Sequence, residues 1–224
     1  MPRLVILAAG AAAFTAAVWT ALDPKDAALS LLLVAGALIL AGSGWFETGP
    51  ASGREVALVA TLGGLAAAGR VLVAVVPGVQ PVTVITVVAG AALGARAGFA
   101  VGAVAALSSN LVLGQGPWTP WQMLAWGGCG VVGALAAPLL RNRWALAVAC
   151  FLLGFAFSGV MDVWEWYSFY PHTWAALLTQ LWRGFPFDVA HAVGNLVIAL
   201  AAGPELRRML ERYHRRSEAE VVWA

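Results

Sequence analysis

Polar side chains recur at helical spacing in two places toward the end of the chain. Asp188, His191 and Asn195 stand at positions i, i+3 and i+7, so they would share one face of a helix. Asp162 and Glu165 stand three residues apart in the same way. Such faces can bind a polar ligand, pass protons or form a satisfied internal network. Asp188, His191 and Glu165 could also hold a metal ion, but their spacing is not that of a metal motif, and we predict no metal site.

Two further polar residues interrupt apolar segments earlier in the chain. Arg70 stands near the end of one such segment, and Asn110 near the end of another. When the apolar segments are aligned as membrane spans, these residues and the two acidic sets fall at one depth. Ionisable groups inside a membrane are costly and are typically functional. The pattern predicts a solute-binding pocket open to the outer face of the membrane, with an internal network around Arg70 as the alternative.

Tryptophan is abundant, with eleven residues, and several fall near the same depth as the polar groups. These are Trp118, Trp121, Trp164, Trp166, Trp174 and Trp182. An aromatic belt at the membrane interface explains such residues in general. Because these flank the polar groups, they would also suit the walls of a pocket for a planar organic ligand. We include Trp118, Trp121 and Trp166 among the candidate ligand-binding residues.

The sequence contains no motif of catalysis or nucleotide binding. HExxH, GxSxG and the Walker loop are all absent. Cys129 and Cys150 lie in apolar runs without a CxxC pair and are expected to pack as small residues. We therefore predict that the chain is not an enzyme, carries no cofactor of its own and binds no nucleic acid.

Composition indicates the environment in which these groups must be positioned. Hydrophobic residues make up 61% of the 224 residues and charged residues only 11%, and the mean hydropathy is +0.83. A soluble domain carries about 25% charged residues. Since this chain has too few polar residues to cover its surface in water, we predict an all-α integral membrane protein whose surroundings are the lipid bilayer.

Apolar runs separated by Pro, Gly and charge predict eight membrane spans, each ideally of about 20 residues. They cover residues 4–22, 28–46, 54–76, 82–95, 97–113, 119–140, 144–167 and 186–203. The fourth and fifth are short and separated only by residues 95–97, which predicts either a tight helical hairpin or a pair of tilted helices that each reach half the membrane depth. Residues 167–186 are predicted to form a long outer loop. A cleaved signal peptide is the alternative for the first span, but a retained span completes an even number.

The distribution of Lys and Arg orients these spans. The C-terminal segment contains five arginines and is assigned to the cytoplasm, because cytoplasmic loops carry an excess of basic residues. Eight spans then place both termini in the cytoplasm of a bacterial-type plasma membrane, and most remaining basic residues fall inside. Residues 205–224 form a charged cytoplasmic tail, either a solvated surface helix or a docking site for a cytoplasmic partner.

Small residues recur at spacings of three or four residues in four spans. The third span carries Ala57, Ala60, Gly64 and Ala68; the next two carry Gly90, Gly94, Gly98 and Gly102; the sixth carries Gly130 and Gly133. Small residues at this spacing let membrane helices approach closely. Packing within the bundle is the expected role of most of them, while the stripe of the third span could receive a helix of another subunit.

Residues 54–204 resemble the substrate-binding S component of energy-coupling factor (ECF) vitamin transporters. EVALVATLGGLAAAGRVL, at 55–72, is similar to the first core helix of that family, with its small-residue stripe and terminal Arg. Residues 77–133 are similar to the second to fourth core helices, and GQGPWTPWQMLAWG, at 114–127, is their most specific part. The first two spans have no counterpart in the six-helix pattern.

The resemblance implies a fold and a division of the chain. Residues 1–50 would form two extra N-terminal transmembrane helices of unknown role. Residues 51–204 would form a six-helix S-component-like bundle, followed by the tail. The family's lid is the loop between its first two core helices, here 77–81 with Gln80, and its other pocket loops correspond to 114–120, with Gln115, and 167–185. The stripe of Ala57, Ala60, Gly64 and Ala68 matches the coupling surface in type.

The resemblance also implies a function. S components bind a vitamin or related micronutrient at the outer face and associate with a transmembrane coupling protein and two ATPase subunits, which use the ATP. A cobalamin-like solute is our first expectation here; riboflavin, thiamin or pyrimidine-type precursors and queuosine-like bases stay open. The alternative is a self-sufficient proton-coupled secondary transporter working through Asp188, His191 and Glu165. A membrane enzyme or assembly factor is a third possibility and lacks a catalytic motif.

Overall fold

The computed structural model of the chain describes residues 2–26, 29–34, 36, 37, 40 and 52–222. Seven helices have complete bounds: α1 Pro2–Thr20, α2 Ser52–Leu72, α3 Val82–Leu93, α4 Ala95–Leu113, α5 Trp118–Leu135, α6 Arg143–Phe169 and α7 Trp174–Val222. The described residues at 29–40 are also helical, and the rest of the predicted second span lies outside the described residues. The described part of the chain contains no strand, which confirms the all-α prediction.

Four of the described helices are long and apolar enough to cross a membrane: Gly53–Leu72, Ala95–Leu113, Arg143–Phe169 and Trp174–Arg216. Val5–Thr20 and Val82–Leu93 are apolar but shorter. Large apolar side chains on these helices point outward, such as Leu65, Leu111, Leu152 and Val197, which are 54–75% exposed. An apolar exterior of this extent fits lipid rather than water. The fold is therefore that of a helical membrane protein.

Helix α3 is the centre of the fold, and every residue from 82 to 90 is buried. It packs against α4, α5 and α7. Gly90, Gly98 and Gly130 meet where α3, α4 and α5 cross, and a Cβ atom on any of them would overlap the backbone of another. These glycines pack helices within the bundle, as predicted.

The predicted tight hairpin between the fourth and fifth spans is present. Gly94 separates α3 from α4 and has φ +94° and ψ 168°. This conformation is essentially restricted to glycine. A Cβ atom built there would meet nothing within 4 Å, so backbone conformation alone requires glycine at this position.

The predicted outer loop at 167–186 is wrong for most of its length. Helix α6 runs to Phe169, and α7 begins at Trp174 and continues through Pro186 and Pro204. The hydroxyl of Thr173 accepts a hydrogen bond from the N–H of Ala176 and caps α7. The following residues, rich in Ala and Leu, are good helix formers. Proline is tolerated within membrane helices when other groups satisfy the freed backbone.

Contacts made by aromatic side chains join helix α1 and the residues just after it to the later helices. The indole Nε1 of Trp164 donates to the carbonyl of Ala21, just beyond α1, at 3.0 Å. Phe14 meets Phe99 of α4 edge to face, with ring centroids 6.0 Å apart. The N-terminal segment is thus docked on the helices that follow it.

Candidate functional site

A cavity of about 400 Å³ lies between α2, α5, α6 and α7. It is lined by Arg70, Gln80, Gln122, Phe157, Ser158, Met161, Asp162, Glu165, Gln180, Arg183, Gly184, Phe187 and Asp188. Most lining groups are polar, yet they belong to helices with apolar outer faces. The cavity is thus lined by Arg70 and by acidic residues of both predicted helix faces, Asp162 and Glu165 on one and Asp188 on the other. The sequence had predicted all of them at one depth in the membrane.

One wall of the cavity is fixed around the guanidinium of Arg70, which is only 9% exposed. Its Nη1 donates to Ser109 Oγ at 2.6 Å and to Asn110 Oδ1 at 2.7 Å. Its Nε donates to Gln80 Oε1 at 3.2 Å, and the group lies 5.0 Å above the ring of Trp126. Three acceptors and a cation–π contact hold the charge in one position.

A second layer of amides and hydroxyls supports this arginine. The amide Nδ2 of Asn110 donates to Thr119 Oγ1 at 2.9 Å and to Gln122 Oε1 at 2.8 Å. Thr119 donates to Gln115 Oε1, and Gln115 Nε2 donates to the carbonyl of Leu107. These bonds tie the loop at 114–117 to the end of α4. A polar network around Arg70 therefore lies beside the cavity, but its hydrogen bonds run to Gln80, Ser109 and Asn110 and not to the predicted Asp188, His191 and Asn195.

Carboxylates form the opposite wall. Gln180, which is 6% exposed, donates from Nε2 to Asp162 Oδ1 at 3.4 Å and to Glu165 Oε2 at 3.1 Å. Asp188 of α7 faces the same cavity, beside Asp162. Within the described part of the chain, the buried atoms Asp162 Oδ2 and Ser158 Oγ make no hydrogen bond of normal geometry, although both side chains lie close to Asp188. Since unpaired buried polar atoms are destabilising, this wall is suited to a ligand that supplies hydrogen bonds.

Aromatic and sulfur-containing side chains complete the lining. Phe157 stacks on the buried ring of Trp126, with centroids 4.2 Å apart and an interplanar angle of 17°. Phe187 and Met161 line the cavity from α7 and α6. A flat ring between polar walls is the arrangement typical of sites for planar organic molecules.

His191 holds the loop at 73–81 against α7 and does not line the cavity. Its ring is fully buried; Nδ1 donates to the carbonyl of Gly78 at 2.8 Å, and Nε2 accepts from Thr83 Oγ1 at 3.3 Å. Gly78 has φ +79°, and a Cβ atom built on it would lie 2.8 Å from Ala190 Cβ. The loop therefore approaches α7 more closely than any side chain at this position would allow.

The structure brings five of the twelve predicted binding residues to the cavity: Arg70, Gln80, Asp162, Glu165 and Asp188. The others lie elsewhere. Asn110, Gln115 and His191 serve the networks described above. Asn195 is buried against Gly154, and its side-chain amide has no hydrogen-bond partner among the described residues. Trp118 covers Gly116, Trp121 is half-buried, and Trp166 donates to the carbonyl of Pro171.

Several lining residues were not among the predicted ones: Gln122, Phe157, Ser158, Met161, Gln180, Arg183, Gly184 and Phe187. Gln180, Gly184, Phe187 and Asp188 follow helical spacing and face the cavity from α7. Because these positions up to 186 were predicted to form a loop, their helical spacing was not recognised from the sequence. Within the described residues, no cluster of His, Cys, Asp and Glu is arranged to hold a metal ion.

The small-residue stripe of α2 faces away from the bundle. Ala57, Ala60, Gly64 and Ala68 are all exposed, and a Cβ atom built on Gly64 would meet nothing within 4 Å. The neighbouring Gly63, by contrast, packs against Val104. The stripe is thus free of contact with the helices that the structure describes.

Fold and cavity together define a helical membrane protein with a polar, aromatic-walled site at one end of the bundle. A family of unknown function, DUF6580, matches residues 51–208, and the chain belongs to this family. The match begins at α2 and includes every residue that lines the cavity. Comparison with curated proteins and with solved structures yields no match.

Proposed function

We propose that the chain is the solute-binding S component of an ECF-type importer. It captures a vitamin-like micronutrient at the outer face of a bacterial-type plasma membrane. A transmembrane coupling protein and two ATPase subunits then complete the transport. In this proposal, α2 to α7 are the six core helices, both chain termini are cytoplasmic and the loop at 73–81 covers the solute.

The observation that carries the proposal is the cavity with its unpaired buried atoms. Asp162 Oδ2 and Ser158 Oγ make no hydrogen bond of normal geometry to any residue that the structure describes. Arg70, in contrast, is held by three acceptors. One wall is therefore held rigidly by hydrogen bonds, while polar groups on the other wall lack them. This combination favours reversible binding of a solute that can form hydrogen bonds.

Cavity volume narrows the class of solute. About 400 Å³ falls near the lower end of the roughly 300–1,000 Å³ typical of small-molecule sites. This size favours a solute of one or two rings over the cobalamin-like corrinoid that the sequence suggested. The stacked Phe157 and the surrounding carboxylates and amides suit a heteroaromatic ring with N–H or amino groups.

The exposed stripe on α2 supports the need for a partner. Small side chains at 57, 60, 64 and 68 leave a shallow groove on a membrane-spanning helix. A helix of another membrane protein can approach such a surface closely. We assign this surface to the coupling protein.

The competing function is a proton-coupled secondary transporter. The carboxylates of Asp162, Glu165 and Asp188 around one cavity favour it, because such groups exchange protons readily. His191 is less suited to the relay expected from the sequence, since both of its ring nitrogens are engaged by Gly78 and Thr83.

Energy dependence separates the two functions. The tagged chain is purified from its own membranes in mild detergent, together with any retained subunits, and is reconstituted in vesicles. An S component should co-purify with a coupling protein and ATPases, and solute uptake should require ATP and persist with a protonophore. Uptake by the chain alone, driven by a proton gradient and abolished by the protonophore, would contradict the proposal and support the alternative.

A further inference from the structure

A second cluster of charged residues lies at the opposite end of the bundle, around the turn between α5 and α6. Two neighbouring cavities, of about 600 Å³ and 290 Å³, meet there. The larger is lined by Leu140, Arg141, Arg143, Leu146, Pro204, Arg207, Arg208, Glu211 and Arg215. Five arginines thus surround one cavity, and among the described residues that line it the one acidic residue is Glu211; Glu205 pairs with Arg208 nearby.

Arg207 is the buried member of this arginine cluster, at 6% exposed. Its Nε donates to Glu211 Oε1 at 2.7 Å, and its Nη2 donates to the carbonyl of Ala137 at 3.0 Å. Its third nitrogen, Nη1, is buried and has no hydrogen-bond partner within the part of the chain that the structure describes. Arg207 lines both cavities, so an acceptor bound there could supply the missing hydrogen bond. A solvated surface arginine would have no such requirement.

The depth of this cluster follows from two helices independently. Arg143 and Asp162 on α6, and Asp188 and Arg207 on α7, are each separated by about 28 Å at 1.5 Å per residue. The hydrocarbon core of a bilayer is roughly 30 Å thick. When the polar cavity lies at one membrane surface, the arginine cluster lies in the headgroup layer of the other.

We propose that the arginine cluster binds a phosphate group, supplied by an anionic phospholipid of that membrane surface. Guanidinium groups match phosphate oxygens in geometry and form charge-assisted hydrogen bonds with them. Leu140, Leu146 and Pro204 provide an apolar floor beside the arginines, as expected where a headgroup continues into acyl chains. Basic pockets between membrane helices are known to take such headgroups. The position of the polar cavity is used to place the cluster in the membrane, but the proposal does not depend on what that cavity binds or on the transport function.

Native mass spectrometry of the full chain tests the site directly. The protein is delipidated and then titrated with phosphatidylglycerol or with phosphatidylcholine of the same acyl chains. Arg141 and Arg143 are exposed, so the double variant Arg141→Gln/Arg143→Gln should fold. Arg212→Gln is the matched control, because Arg212 is exposed on α7 and lines neither cavity.

The expected result is retention of phosphatidylglycerol over phosphatidylcholine, weakened at least about tenfold in the double variant and unchanged in Arg212→Gln. Equal retention of the two lipids, or an equal loss in the control, would overturn the proposal, since either result indicates general surface charge. Inorganic phosphate is added in parallel. Displacement of the lipid by millimolar phosphate would keep the phosphate chemistry but assign the site to the free ion instead.

Discussion

Gly78 offers the sharpest test of how the loop at 73–81, whose Gln80 lines the cavity, is held against α7. Its carbonyl accepts from His191 Nδ1, and its φ is +79°. A Cβ atom at this position would lie 2.8 Å from Ala190 Cβ and 2.9 Å from the carbonyl oxygen of Phe187. Gly78→Ala should therefore force the loop away from α7, because both neighbouring atoms belong to the helix.

The size of the effect can be worked from these contacts. Placing alanine in a sparsely populated backbone region costs about 1–3 kcal/mol. Loss of the buried hydrogen bond from His191 adds about 1 kcal/mol. We expect the free energy that holds the loop against α7 to fall by about 2–4 kcal/mol in total. Displacing Gln80 with the loop should also weaken solute binding, by roughly tenfold for one lost polar contact.

Hydrogen–deuterium exchange is the assay, because it needs no identified solute. Amides of residues 77–81 should exchange faster in Gly78→Ala than in the wild type. Gly94→Ala is the control: it also places alanine at positive φ, but its Cβ would meet nothing within 4 Å and it lies in the α3–α4 hairpin. Unchanged exchange at 77–81 in Gly78→Ala, or an equal increase in the control, would refute the loop's attachment through close contact with α7.

Three further substitutions test other parts of the site. Gly64→Leu should spare solute binding but abolish co-purification of the proposed coupling protein. Gly159→Leu, which is also in open space on a spanning helix, should leave co-purification intact. If Gly64→Leu still assembles with the coupling protein, the stripe has another role. Arg70→Met should lower stability by about 2–4 kcal/mol by leaving its acceptors unpaired, measured as a fall in Tm; an unchanged Tm would contradict this. Gln180→Met should cost about 1–3 kcal/mol and weaken solute binding, since Asp162 loses its donor; unchanged stability and affinity would contradict the described wall.

Helix type and helix order followed from the sequence because apolar runs and breakers are local features. The hairpin at Gly94 and the packing glycines at 90, 98 and 130 were predictable for the same reason: the required residue type is visible in the chain. Arg70, Asp162 and Asp188 were found because charge is rare in this sequence and its position within a span is readable.

Other parts of the site depended on tertiary packing. Pro186 suggested a loop end, yet α7 continues through it, so the cavity-facing Gln180 was missed. His191 shares a helix face with Asp188, but the approach of Gly78 draws its ring into a different contact. The predicted depth of a tryptophan in the membrane also did not show whether it lines the cavity or lies at the membrane interface. Trp118 and Trp166 were predicted near the depth of the cavity, but they contact nearby backbone. The spacing of residues in the sequence predicts which face of a helix a side chain lies on and how deep it lies in the membrane. Its contact partners depend on which helices pack together.

The most direct measurement of solute binding is native mass spectrometry of the chain purified from its own host, beside the variant Gly184→Leu. A side chain at 184 would enter the cavity, because its Cβ would lie 2.8 Å from Asp162 Oδ1. We predict one small organic molecule bound to the wild type and absent from a folded Gly184→Leu protein. A wild type without any bound molecule after growth with a vitamin panel, or equal retention by the variant, would contradict a solute site in this cavity.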